Sequence, residues 1–140
     1  VRDMSLLEFG RRLLRGGGVR TVTSRQLEAQ LAEDTPPTVI DLREPRLARR
    51  GMIPTAENLP FDDFLKSVVV DGRFADDKGR ALVLVCDHGN VSRVAGDVLA
   101  KDEGFTNIRS VRGGMMAWHH LQRRKGGWWG CCRRAPRASA

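Results

Sequence analysis

Long hydrophobic runs are missing from this chain of 140 residues. The longest apolar run, Ala81 to Cys86, has the length of a strand and falls far short of the roughly 20 residues that span a membrane. We therefore expect no helix that crosses a membrane. The length accommodates a single domain, because two domains of half this size would each bury too little apolar surface.

Cysteine and histidine are also scarce, with three residues of each. Cys131 and Cys132 are adjacent, so the cysteines do not supply the disulfide framework of a small secreted domain. This favours the cytoplasm or another reducing compartment. The pair His119–His120 does not by itself make a metal site, and we expect no metal.

Basic residues are not in excess in the middle of the chain, although the net charge is +7. Residues 1–20 contain five arginines, and residues 123–140 contain six basic residues and no acidic residue. Residues 21–122 have 13 basic and 15 acidic residues. Because only the tails are basic, nucleic-acid binding is not expected. The tails are compatible with weak contact with a membrane surface.

Three segments follow from these patterns. Residues 1–18 are predicted to form a basic amphipathic helix and a glycine linker, which either packs on its own domain or lies on a membrane surface. Residues 19–122 form the domain, and residues 123–140 are predicted to be a basic, flexible tail. Three alternatives remain for Cys131 and Cys132 in this tail: acylation, acceptance of sulfur from Cys86, or no functional role.

Short apolar strands alternate with amphipathic helices in the domain. Thr38–Leu42 is rich in β-branched residues, and Ala81–Val85 is continuously apolar, as is typical of a central parallel strand buried on both faces. Helices are predicted over residues 24–32, 61–69 and 91–103 and after Gly113–Gly114. This alternation predicts an α/β fold with a central, mainly parallel sheet and helices on both faces.

The segment after the central strand has the composition of a reactive site. It consists of Cys86, Asp87, His88, Gly89, Asn90, Val91, Ser92 and Arg93. Gly89 and Asn90 tolerate unusual backbone angles, so the loop is able to aim N–H groups at an anion. The N-terminus of the next helix adds positive potential. Both effects favour the reactive thiolate of Cys86, whereas the alternative is an inert, buried cysteine.

Four further segments resemble the single-domain rhodaneses, a family of sulfurtransferases, and the resemblance covers roughly residues 19–122. They are Asp41-Leu-Arg-Glu-Pro45, Gly51-Met-Ile-Pro-Thr-Ala-Glu-Asn-Leu-Pro60, Gly104-Phe-Thr-Asn-Ile108, and Gly113-Gly114 with Ala117-Trp118. The resemblance implies the rhodanese-like fold, a persulfide on Cys86 and an active-site loop over residues 86–92. It also implies that Asp41 and Arg43 brace the loop. The alternative is that these two residues form an ion pair on the surface with no role at the site.

The loop departs from many rhodaneses at Val91, where they have arginine. It resembles instead the Cys-x-His-Gly-Asn-x-Ser-(basic) loop of small bacterial thiosulfate sulfurtransferases. Arg93 is the nearest cation. We therefore expect Arg93 to help capture an anionic donor, and we expect the leaving anion to depart through a basic pocket mouth.

By this resemblance, the expected activity is transfer of sulfane sulfur through Cys86. The donor is thiosulfate or a related small anion, and the acceptor is a thiol, cyanide or a protein thiol; no cofactor is required. One alternative is a non-catalytic rhodanese module that docks a partner or relays sulfur within a larger protein. Another is a phosphatase with a Cys-x5-Arg loop, which needs arginine at the position of Ser92.

Overall fold

The computed structural model describes residues 19–126, which contain five strands and five α-helices. The strands are β1 (Arg20–Val22), β2 (Thr38–Asp41), β3 (Glu57–Asn58), β4 (Leu82–Val85) and β5 (Ile108–Val111). The helices are α1 (Ser24–Leu31), α2 (Pro45–Ala48), α3 (Phe61–Leu65), α4 (Asn90–Lys101) and α5 (Gly114–Arg124). The predictions for residues 1–18 and 127–140 lie outside the described residues.

All strand pairs of the sheet are parallel, and the strand order is β1-β5-β4-β2-β3. The apolar strand β4 lies between β5 and β2, at the centre of the sheet. All four of its residues are buried, as expected of a parallel strand covered on both faces. The predicted parallel sheet is therefore confirmed. Its central strand, β4, ends immediately before Cys86.

Helices cover both faces of the sheet, and each face has its own apolar cluster. On one face, Phe64 of α3 and Leu99 of α4 pack with Leu84. On the other face, Leu27 of α1 and Trp118 of α5 pack in a second cluster. The prediction of an α/β fold with helices on both faces is confirmed.

Three local differences separate the structure from the sequence prediction. The helix predicted over residues 61–69 is α-helical only to Leu65 and continues as a π-helical segment, Lys66–Val70, where three consecutive β-branched valines crowd a regular α-helical turn. Strand β3 was not predicted, because two polar residues carry no strand pattern. Helix α5 continues to Arg124, two residues beyond the predicted end of the domain. No helix within residues 19–126 has the length and apolarity to cross a membrane.

Candidate active site

Cys86 lies at the carboxyl end of the central strand, where ligands bind in open α/β sheets. Its side chain is buried, with 5% of the residue exposed. The chain turns through Gly89, whose φ of 94° is left-handed, and enters α4 at Asn90. A Cβ at Gly89 would lie 3.1 Å from the carbonyl oxygen of Val111, so the turn requires glycine.

The sulfur of Cys86 is surrounded by hydrogen-bond donors from its own loop. The amides of Gly89 and Ser92 donate to Sγ at 3.1 and 3.4 Å. The Ser92 hydroxyl lies 3.4 Å from Sγ and 2.7 Å from the Ser110 hydroxyl. Both serines are fully buried. These donors, together with the N-terminus of α4, favour negative charge on the sulfur.

The N-terminus of α5 holds the same loop from the opposite side. The amide of Met115 donates to the carbonyl oxygen of Cys86 at 2.8 Å, and the amide of Met116 donates to that of Asp87 at 3.1 Å. At Gly114 a Cβ would lie 2.2 Å from the Cys86 carbonyl oxygen, which leaves no room for a side chain. Cys86 is thus fixed through its backbone as well as through its sulfur.

Asp41 and Arg43 form a buried ion pair, so the surface-pair alternative is wrong. Their side chains are 0% and 5% exposed, and Nη2 of Arg43 donates to Oδ2 of Asp41 at 2.6 Å. The same Nη2 donates to the carbonyl oxygen of Gly51 at 2.7 Å, and Nδ2 of the Asn58 side chain donates to the carbonyl oxygens of Asp41 and Arg43. Within the described residues, Gly51 belongs to the connection between β2 and β3 and Asn58 to β3 itself, so neither partner belongs to the Cys86 loop.

Cys86 faces an open pocket of about 580 Å³. Six of its lining residues are apolar: Leu42, Leu47, Pro60, Phe61, Val91 and Val94. The others are Arg43, Glu44, Asp62, Cys86, Asp87, His88 and Asn90. This volume lies in the range of pockets that bind organic ligands of moderate size. The site is therefore larger and more apolar than capture of a small inorganic anion requires.

Within residues 19–126, the pocket lining does not form the basic mouth that the sequence predicted. Three acidic residues are among those that line it, Glu44, Asp62 and Asp87, and we call their side chains the rim carboxylates. The lining guanidinium, that of Arg43, is already neutralised by Asp41. Arg93 is exposed on α4 and is not among the lining residues, so the predicted capture of an anion by Arg93 has no direct contact to support it.

His119, on α5, lies close to the ion pair of Asp41 and Arg43. Burial lowers the pKa of His119, and the positive charges of Arg43 and Arg123 lower this pKa further. These effects disfavour the protonated imidazole beside the site, whereas the carboxylate of Asp41 favours it.

The structure brings most of the predicted site residues together. Gly89 and Ser92 lie behind the sulfur, and Asp87, His88, Asn90 and Val91 line the pocket in front of it. Sequence reasoning missed Ser110, because a serine in an apolar strand carries no signal of its own. It also missed the packing role of Gly114, although the Gly113–Gly114 pair ahead of a helix was the available signal.

The hydroxyl of Ser92 offers a direct test of the sulfur's environment. Ser92→Ala removes the hydroxyl that lies 3.4 Å from Sγ, and we expect the sulfur loading of Cys86 that the rhodanese resemblance implies to slow about tenfold, the value of one hydrogen bond to a charged group. Ser110→Ala is the matched control, since it removes the same hydroxyl pair but keeps the bond to Sγ. Loading kinetics measured on folded protein should separate the two variants, and equal losses would show that the pair acts only in packing.

The chain is similar in sequence to proteins of known family. The family described as Rhodanese-like domain matches residues 23–121. The thiosulfate sulfurtransferase GlpE of Pseudomonas syringae pv. syringae is 30% identical over 94 residues, which cover 65% of this chain and 80% of that protein. A sulfurtransferase of Allochromatium vinosum is 30% identical over 101 residues, which cover 71% of this chain and 88% of that protein.

A solved structure from Rhodopseudomonas palustris, named a protein of unknown function and possible tyrosine phosphatase, superposes with a TM-score of 0.64. It is 20% identical, and the match covers 91% of this chain and 95% of that one. At this identity the likeness shows the fold alone. The family match over residues 23–121 covers most of the described domain, including all of the parallel sheet after β1. The chain belongs to the rhodanese-like family.

Proposed function

We propose that this protein transfers sulfane sulfur through a persulfide on Cys86. A sulfurtransferase type of function agrees with the family and with the relatives named above. The observation that carries the proposal is the position of Sγ, within reach of the Gly89 and Ser92 amides at the wall of an open pocket. A thiolate held in this way is a nucleophile, and the same amides stabilise charge on a sulfur bound to it.

The reaction consists of two sulfur transfers. The Cys86 thiolate attacks the outer sulfur of thiosulfate or a related donor, so a new S–S bond forms while the donor's S–S bond breaks. The electron pair of that bond leaves with the donor remainder, which is sulfite in the case of thiosulfate. A thiol, thiolate or cyanide then attacks the terminal sulfur of the persulfide and returns the Cys86 thiolate. The net change is movement of one neutral sulfur atom, which needs no oxidant, reductant, metal or organic cofactor.

Intact mass spectrometry tests the first transfer directly. After incubation with a sulfane donor and removal of the excess, the protein should gain the mass of one sulfur atom. Addition of cyanide should return the original mass and release thiocyanate. A protein that gains no sulfur from any donor would favour the alternative of a non-catalytic module that docks a partner. A protein that gains sulfur but does not turn over with a donor and a small acceptor would favour relay of sulfur within a larger protein.

Phosphatase activity is the alternative enzymatic function, and the residues at the site do not favour it. Position 92, where a Cys-x5-Arg phosphatase has its arginine, holds Ser92, whose hydroxyl bonds Ser110. Arg43 is occupied by Asp41 and Gly51, so it offers no free two-pronged grip to a phosphoryl group. We expect no hydrolysis of an aryl phosphate under conditions in which a sulfane donor loads Cys86. Aryl phosphate turnover that disappears in Cys86→Ser would overturn the sulfurtransferase proposal.

A further inference from the structure

The pocket in front of Cys86 combines two features that bear on the choice of sulfur donor. Its walls are largely apolar, and its ionised lining groups are dominated by the rim carboxylates Glu44, Asp62 and Asp87. The Sγ cradle favours one negative charge at the reacting sulfur. Among the described lining residues, the cation of Arg43 is paired with Asp41, so a second negative charge on the donor would lie beside acidic residues that outnumber the available cations.

We propose that the pocket selects an organic sulfane donor, with an apolar group and at most one negative charge, over the thiosulfate dianion. The proposal rests on the proposed function, because it concerns the donor that loads Cys86. An apolar group is favoured because Leu47, Phe61 and Val91 would lose exposed surface against it. Val91 is the clearest case, since this apolar residue lines the pocket and is 44% exposed.

The charges act against thiosulfate for a simple electrostatic reason. Repulsion between a carboxylate and a donor scales with the donor's charge, so a dianion experiences twice the repulsion energy of a monoanion at the same place. When one rim carboxylate is neutralised, the fold-increase in kcat/KM for a dianionic donor should therefore be about the square of the fold-increase for a monoanionic donor. Salt weakens both effects, because the pocket is open to solvent.

The test compares three donors that react in the same way. Benzenethiosulfonate and methanethiosulfonate are monoanions that differ in the size of the apolar group, and thiosulfate is the dianion. Each loses its outer sulfur to Cys86 as its S–S bond breaks, and the remainder leaves as a sulfinate or, for thiosulfate, as sulfite. In a two-step mechanism, kcat/KM for the donor reports this half-reaction alone. Comparing variants with wild type for each donor cancels the donors' different intrinsic reactivities.

Asp62→Asn tests the charge, and Asp63→Asn is its matched control. Both carboxylates are exposed on α3, but Asp62 lines the pocket and Asp63 does not. At low ionic strength Asp62→Asn should raise kcat/KM about threefold for either thiosulfonate and about tenfold for thiosulfate. Asp63→Asn should change all three donors by clearly less, and added salt should shrink the effect of Asp62→Asn.

Leu47→Ala tests the apolar wall. Leu47 lines the pocket but belongs to neither apolar cluster of the core, so its truncation should leave the fold intact. We expect kcat/KM for benzenethiosulfonate to fall about fivefold while that for methanethiosulfonate changes little. Methanethiosulfonate is thus an internal control for any general loss of activity.

The outcomes separate this proposal from the proposed function. If no donor loads Cys86, both are overturned. If Cys86 is loaded but Asp62→Asn and Asp63→Asn act alike, or if thiosulfate responds no more than the thiosulfonates, the donor proposal is overturned and the sulfurtransferase proposal stands. The donor proposal is also overturned if Leu47→Ala leaves the preference for benzenethiosulfonate over methanethiosulfonate unchanged.

Discussion

Cys86→Ser should abolish persulfide formation and leave the fold intact. Serine has nearly the shape of cysteine, and its oxygen is able to accept the hydrogen bonds that the Gly89 and Ser92 amides donate to Sγ. The hydroxyl, however, is far less nucleophilic than a thiolate and stays protonated at neutral pH. We therefore expect sulfur transfer to fall below detection, while thermal unfolding and circular dichroism match those of the wild type.

The two tail cysteines provide the control for this experiment. Cys86 is the one cysteine within residues 19–126, whereas Cys131 and Cys132 lie outside them. The double variant Cys131→Ser/Cys132→Ser should therefore load one sulfur as the wild type does. Peptide mapping that places the persulfide on Cys131 or Cys132, with Cys86→Ser still active, would contradict the proposed role of Cys86.

The central part of the site was predictable because it is local in sequence. A continuous apolar strand, a cysteine and a Gly-Asn turn occur within ten residues, and each has a direct structural meaning. The parallel sheet was predictable for a similar reason, since apolar strands alternate with helices along the chain. The structure places the predicted loop residues around the sulfur and along the pocket wall.

The electrostatic character of the site was not predictable in the same way. The rim carboxylates come from the residue before α2, from α3 and from the Cys86 loop, which are far apart in sequence. Asp62 has no distinguishing pattern, and the motif that contains Glu44 does not indicate that it lines the pocket. Arg93 is close to Cys86 in sequence but lies outside the pocket lining, because helical geometry turns it away from Val91 and Val94. The side chain of Arg43 bonds Gly51 and its carbonyl oxygen accepts from Asn58, and these two partners come from 8 and 15 residues further along the chain.

Backbone packing at Gly114 leads to the second large expected effect. Gly114 has a φ of +59°, and a Cβ there would lie 2.2 Å from the carbonyl oxygen of Cys86 and 2.5 Å from that of Asp87. These neighbours are backbone atoms that cannot rotate away. Gly114→Ala must therefore move either the start of α5 or the peptide that carries Cys86, and it should weaken the bond from the Met115 amide.

Gly104 offers a matched control, because its φ of +74° is also left-handed but a Cβ there would meet no atom within 4 Å. Gly104→Ala should cost about 1 kcal/mol of unfolding free energy, from backbone strain alone, and should leave sulfur transfer unchanged. Gly114→Ala carries the same strain and displaces the nucleophile as well. Since a displacement of about 1 Å at a reacting group costs roughly a hundredfold in rate, we expect kcat/KM for the donor to fall by about that factor in protein that remains folded. Equal kinetics for the two alanine variants, measured alongside their thermal unfolding, would show that the contact between α5 and the Cys86 loop does not position the sulfur.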